Sequence, residues 1–152
     1  MWKIITGLFL GDREDACDLK QLRQEKITHI VNCAHELPCY FPEEFVYLWS
    51  RMKDPDLTFA SQIPHACEFI NKGRAQGQVL VHCTAAVSRS PAVILAYLCY
   101  QGTTLDQAAQ QLSSIVLTGI DEIFLRQLVE YIGTRLSAHD LQHLAFKLLG
   151  SL

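Results

Sequence analysis

The sequence has no long basic run, no pair of cysteines at metal-ligand spacing, no low-complexity segment and no internal repeat. Its 13 lysines and arginines stand against 16 acidic side chains, a formal charge of −3, so bulk composition gives a nucleic-acid partner no electrostatic support. A single phosphate needs only a small local cluster of donors and stays open. The longest apolar run, Ala92–Tyr100, is about half the length of a membrane span. The apolar stretch near the N-terminus is too short for a signal-peptide core, and Trp2 excludes N-myristoylation. None of the six cysteines, at 17, 33, 39, 67, 83 and 99, forms Cys-x-x-Cys. Reduced thiols in a cytoplasmic protein are therefore expected, with no metal, no other cofactor and no membrane association.

The chain has 152 residues, 49% hydrophobic and 19% charged, which suits one globular domain with its own core. The expected domain spans residues 1–152, with a core over about 3–133 and a helical extension over 134–152. Residues 4–10 read as a strand ending at Gly11, and 15–26 as a helix with Ala16, Leu19 and Leu22 on one face. Residues 28–34 read as a buried strand and 45–49 as a strand at or beside the sheet edge, amid irregular chain marked by Pro38, Pro42 and Pro55. A helix is expected over 58–72, striped by Ile63, Ala66 or Cys67, and Ile70. A short strand follows over 78–82, and its consecutive Val79, Leu80 and Val81 imply cover on both faces. Residues 83–89 read as a loop, and Ser90-Pro91 opens a helix that is apolar nearly all round. Thr104 with Gln107, and Thr118 with Asp121, look like capping pairs for helices over 105–113 and 122–132. Leu141, Leu144, Leu148 and Leu152 suggest a last helix. The order of strands and helices favours an α/β fold, with a central, mostly parallel sheet flanked by helices.

The chemistry concentrates in His82-Cys83-Thr84-Ala85-Ala86-Val87-Ser88-Arg89-Ser90. A loop between a strand and a helix start can curl its backbone N–H groups around an anion. Thr84, Ala85, Ala86, Val87 and Ser88 supply such a loop, and Arg89 adds a planar fork for two phosphate oxygens. The same positive surroundings favour a thiolate at Cys83, able to attack phosphorus and form a cysteinyl-phosphate.

His-Cys, five residues, Arg-Ser resembles the signature loop of the protein tyrosine phosphatase superfamily. Val-Leu-Val-His-Cys and Val-Ser-Arg-Ser-Pro resemble its atypical dual-specificity branch. The similarity runs from Gly7–Gly11 through Ile30–Asn32 to about Ile132. The resemblance implies a phosphatase-like α/β fold in which Cys83 is the nucleophile and Arg89 the phosphate-binding cation. It also implies that Ser90 assists the departing thiolate and that His82 tunes the thiol from within the loop region. For the general acid it points to Asp54, with Asp56 two residues on as the alternative. Two departures stand out: Ala86 occupies a position where the family usually has glycine, and Thr118-Gly119 replaces an expected Pro-Asn-like signal.

The loop residues carry no charge besides Arg89, which argues against highly phosphorylated lipids and suits a single phosphomonoester. The expected partner is a phosphorylated protein or peptide bearing phosphotyrosine, with phosphoserine and phosphothreonine as further substrates. Two alternatives stay open: a catalytically impaired phosphate-recognition module, and a phosphatase for a non-protein phosphomonoester. Residues 36–44 are expected to wall the cleft. Cys33, after a neighbouring strand, is either an inert core thiol or a disulfide partner for an oxidised Cys83. Oligomeric state has no sequence signal.

Overall fold

A computed structural model of the chain describes residues 1–133 together with Gln142 and Phe146; the leucines of the C-terminal stripe lie outside the described residues. The first strand signal is a hairpin, β1 (Trp2–Ile5) and β2 (Leu8–Gly11), because Gly7 at φ 81° turns the chain back. Arg74 fixes that turn by donating from Nε and Nη2 to the Thr6 carbonyl at 3.0 and 2.8 Å. The next helical signal is likewise split, into α1 (Arg13–Ala16) and α2 (Leu19–Gln24). Asp12 and Asp15 form a reciprocal capping box on α1, and the Asp18 carboxylate caps α2 by accepting from Gln21 N–H at 3.1 Å.

Then come β3 (Ile27–Ala34), β4 (Val46–Met52), α3 (Phe59–Gln76), β5 (Gln78–His82), α4 (Arg89–Tyr100), α5 (Leu105–Ser113) and α6 (Glu122–Tyr131). The sheet order is β1-β2-β5-β3-β4; only the β1–β2 hairpin is antiparallel, and β4 is the edge expected for it. β5 thus lies at the centre, and its C-terminal end delivers Cys83.

Side-chain alternation assigns the strand residues to two cores. Leu8, Leu10, Val31, Cys33, Val79, Val81 and Cys83 join Phe59, Ile63 and Ile70 of α3, α4, and Phe124 and Leu128 of α6. The intervening Phe9, Ile30 and Leu80 meet Leu22 of α2, with Phe45, on the opposite face. This explains the unbroken apolarity of β5. Complete burial of one such Leu or Ile is worth roughly 1.5–3 kcal/mol.

Helix α3 runs to Gln76, beyond the expected end at 72, through Pro64 and Gly73. Gly73 does not stop the helix; it lets α3 lie against the sheet, where a Cβ would meet Val79 Cγ2 at 2.6 Å. Helix α4 starts earlier than its apolar run, at Arg89, with Ser88 in the N-cap position. The Thr104–Gln107 capping box forms as expected. The second pair does not: Asp121 alone caps α6, by accepting from Ile123 N–H at 2.8 Å, while Thr118 is buried.

Candidate active site

Cys83 leaves the central strand and is 2% exposed, with Sγ 3.0 Å from the hydroxyl of Ser90, itself fully buried. Ser90 is the second residue of α4 and turns its side chain to the thiol, so the cap position belongs to Ser88. Between them the chain makes one tight loop, and neighbouring segments hold its outward-facing groups. Arg13 N–H donates to the Thr84 carbonyl at 2.9 Å and Gly119 N–H to the Val87 carbonyl at 2.8 Å. Asp121 N–H donates to Ser88 Oγ at 3.0 Å. The segment Thr118–Asp121, read from sequence only as a helix start, is therefore a buttress of the loop. Among the described residues, no N–H group of Thr84 to Ser88 is spent on a backbone carbonyl, the condition for a nest that takes an anion.

Ala86 sits in this loop at φ 58°, in the left-handed region, 2% exposed. It adopts the backbone angle that glycine takes freely, at a cost of about 1 kcal/mol. Thr84 is half-buried, whereas Ala85 and Val87 are exposed at the mouth.

Arg89 is 7% exposed. Its Nη1 donates to Glu36 Oε1 at 2.6 Å and to the Met52 carbonyl at 3.0 Å. Its Nη2 donates to Glu36 Oε2 at 2.6 Å and makes a long contact of 3.4 Å to Thr84 Oγ1. Its Nε is buried without a partner. The Arg89 fork, helped by the Thr84 hydroxyl, holds the Glu36 carboxyl down at about 2 against the pull of partial burial. Sequence reading placed Glu36 only in a cleft wall and missed this contact. The available signal was an acidic residue just past the end of a strand beside β5. Of the rest of that segment, Phe41 packs toward the opposite core with Phe45.

His82 is 1% exposed; its Nδ1 lies 3.3 Å from the Cys83 carbonyl and its Nε2 has no partner. Burial pushes its pKa down to about 4, so near neutral pH the imidazole is uncharged and presents a dipole rather than a cation to the loop. The two candidate acids differ. Asp56 accepts from Lys53 N–H at 3.0 Å, Thr58 N–H at 2.8 Å and Thr58 Oγ1 at 2.6 Å. Burial raises its pKa, but those donors outweigh it and leave the carboxyl below its ordinary value. Asp54 is exposed, and its charge is felt at Arg89. Gln127 of α6 ties their loop down by donating to the Asp56 carbonyl at 2.7 Å and accepting from Ala60 N–H at 2.8 Å.

This strand–loop–helix site lies inside the match to a known family: the model of the dual specificity phosphatase catalytic domain covers residues 8–133. The chain belongs to that family. Mouse protein phosphatase Slingshot homolog 3 is 42% identical to it over 139 residues, 86% of this chain and 21% of that protein. Mouse dual specificity protein phosphatase 19 is 40% identical over 93 residues, 60% of this chain and 42% of that protein. The chain spans about a fifth of the length of the Slingshot relatives it matches. Among solved structures, human DUSP28 superimposes with a TM-score of 0.79 at 28% identity, covering 88% of this chain and 96% of that one. A human tyrosine phosphatase-like serine/threonine/tyrosine-interacting protein gives 0.79 at 30% identity, with 88% and 95% covered. The dual-specificity assignment accounts for the mixed, mostly parallel sheet and supports a cysteine-based protein phosphatase mechanism at the level of the family. Among the described residues, no helix is long and apolar enough to cross a membrane.

Proposed function

We propose that this chain is a phosphatase domain that hydrolyses phosphotyrosine in proteins, and secondarily phosphoserine or phosphothreonine, through a cysteinyl-phosphate on Cys83. One arrangement carries the reading: the Cys83 thiol meets the Ser90 hydroxyl at 3.0 Å, beside an Arg89 whose buried Nε lacks an acceptor. A phosphate oxygen supplies that acceptor.

The Cys83 thiolate attacks phosphorus as the bond to the leaving oxygen breaks, and Asp54 gives that oxygen its proton. Arg89 and the N–H groups of Thr84, Ala85, Ala86, Val87 and Ser88 take the charge on the transferring oxygens. Water then attacks phosphorus, its proton passes to the Asp54 carboxylate, and the S–P bond breaks with Ser90 donating to the departing thiolate. His82 supports the loop from beneath through the Cys83 carbonyl. Val87 in the loop and Leu117, two residues before the Gly119 that bonds to it, are exposed, apolar surface that favours a protein substrate over a small polar phosphomonoester.

Hydrolysis of an aryl phosphate by wild type and by Cys83→Ser, with chelator present throughout, tests the reading. Wild type is expected to turn over in chelator and the variant to lose at least about a thousandfold. A second reading, a phosphate-recognition module of impaired activity, is favoured by the Cβ at φ 58° in Ala86. A well-folded wild type with no turnover across about pH 5 to 8 would select it.

A further inference from the structure

Helix α6 touches both halves of the site. At its start Asp121 N–H donates to Ser88 Oγ in the nucleophile loop at 3.0 Å. About 9 Å further along the helix axis, Gln127 donates from Nε2 to the Asp56 carbonyl at 2.7 Å and accepts at Oε1 from Ala60 N–H at 2.8 Å. Between these two points Phe124 meets Phe59, the first residue of α3, edge to face, with both rings buried and their centroids 5.1 Å apart.

The Gln127 amide meets two needs of the chain that carries the candidate acids. Thr58, in the N-cap position of α3, provides no side-chain cap, so Ala60 N–H would otherwise be one of the unpaired donors at a helix start. Within the loop over 53–58, Asp56 commits its carboxylate to Lys53 and Thr58. Those bonds bind the loop to itself and make it move as a unit, so the places where it is tied decide where Asp54 stands. At the β4 end the tie is Met52, whose carbonyl accepts from Arg89 Nη1 at 3.0 Å and from His35 N–H at 3.1 Å. At the α3 end, the hydrogen bonds that come from α6 are the two made by Gln127.

We propose that Gln127 is a positioning residue for proton transfer: it makes α6 a spacer between the nucleophile loop and the acid loop, and so sets the distance from Cys83 to the Asp54 carboxyl. The inference rests on the phosphatase reading, with Asp54 as the acid. A proton donor displaced by about 1 Å loses up to about a hundredfold in rate. Attack by the thiolate depends on the nucleophile loop, which Gln127 does not touch. Loss of the amide therefore harms each substrate in proportion to its need for a proton, whereas a general loosening of the fold harms all substrates alike.

The test compares wild type, Gln127→Met, Asp54→Asn and the double variant on phenyl phosphate and on dinitrophenyl phosphate, with tungstate as a competitive inhibitor. The quantity is kcat/KM, which reports the steps through departure of the leaving group and leaves out the later hydrolysis of the cysteinyl-phosphate. Gln127→Met is expected to lose about tenfold or more on phenyl phosphate, whose leaving oxygen needs the proton. On dinitrophenyl phosphate, whose leaving group departs as a stable anion, the loss should stay below about threefold. Tungstate inhibition should stay within about twofold, and in the Asp54→Asn background Gln127→Met should cost less than about twofold. Gln127→Glu keeps the acceptor for Ala60 but loses the donor to Asp56. It covers the case in which Gln127→Met is unstable, and should show the same dependence on the leaving group. Equal losses on the two substrates, or a loss that adds to that of Asp54→Asn, overturns the proposal and leaves Gln127 a structural cap of α3. Failure of both variants to fold overturns it as well. Full activity of Asp54→Asn on phenyl phosphate would sink the acid assignment, and absence of all turnover in wild type the phosphatase reading, each taking the inference with it.

Discussion

Ala86 shows how two small terms of opposite sign set the consequence of one substitution. Its left-handed φ of 58° costs about 1 kcal/mol relative to glycine. Its methyl group is 2% exposed, and that burial returns up to roughly 0.8 kcal/mol. Ala86→Gly is therefore expected to change stability in urea by less than about 0.5 kcal/mol. Its turnover should stay within about threefold of wild type, since the loop already holds the required angle. A tenfold rise would instead assign the alanine to impairment. The two aspartates separate by the same kind of reasoning. Asp56 spends its carboxylate on three donors around Thr58. Asp56→Asn should thus cost about 1 kcal/mol of stability and little kcat. Asp54→Asn should leave stability alone and lower kcat about a hundredfold on substrates with poor leaving groups, less on activated aryl phosphates. Measuring both variants on both substrate types checks the assignment. The reverse pattern would move the acid to Asp56.

At the scale of elements, the strand–loop–helix of β5 and α4 was legible because three local signals coincide: a doubly covered apolar strand, a loop rich in small residues, and an apolar helix opened by Ser90-Pro91. The breaks elsewhere were not. Thr6-Gly7 was absorbed into one strand because the apolar residues on either side mask a two-residue turn. Cys17-Asp18 was absorbed into one helix, although Asp18 is a good N-cap. The Glu36–Arg89 contact was invisible because it spans 53 residues of sequence, and no local pattern encodes such a pairing. Strand register has a chemical consequence too. Asn32 pairs with His82 on adjacent parallel strands, so Cys33 and Cys83 come next after them and enter one buried cluster. Neighbouring strands lie about 4.8 Å apart, within disulfide reach. Burial pushes the Cys33 thiol well up, and the nearby Cys83 adds to it. Hydrogen peroxide is thus expected to oxidise the Cys83 thiolate to sulfenic acid, releasing hydroxide. The Cys33 thiol then forms the S–S bond as water departs. Peptide mass spectrometry should find a thiol-reversible Cys33–Cys83 link. Its absence while Cys83 advances to sulfinic acid would leave Cys33 an inert core thiol.

For the whole molecule, the same burial that builds the site makes folding depend on pH. His82 lies at the end of the central strand and is buried. Desolvation, only partly offset by the Cys83 carbonyl and by Asp15, lowers its pKa from 6.5 to about 4. Between these values the unfolded chain binds a proton at this position and the native chain does not, so stability must fall as pH falls through that window. The contribution is on the order of 3 kcal/mol, absent at pH 7.5 and fully developed once pH drops below about 4. Glu36 acts lower down. Its carboxyl is held at about 2, against 4.5 when free, so its stabilisation is present above 4.5 and lost on the way down to about 2. Its side chain is 37% exposed, and solvent screening shrinks its share well below that of His82. Urea unfolding at about pH 7.5, 6, 5, 4 and 3 should therefore show a decline that begins above the carboxylate range. His82→Gln, which cannot titrate, should flatten the upper part of that decline while leaving the Glu36 limb in place. A His82→Gln curve parallel to wild type between about pH 6.5 and 4.5 would mean that the buried imidazole is already solvated or paired, and that the acid sensitivity of the fold arises elsewhere.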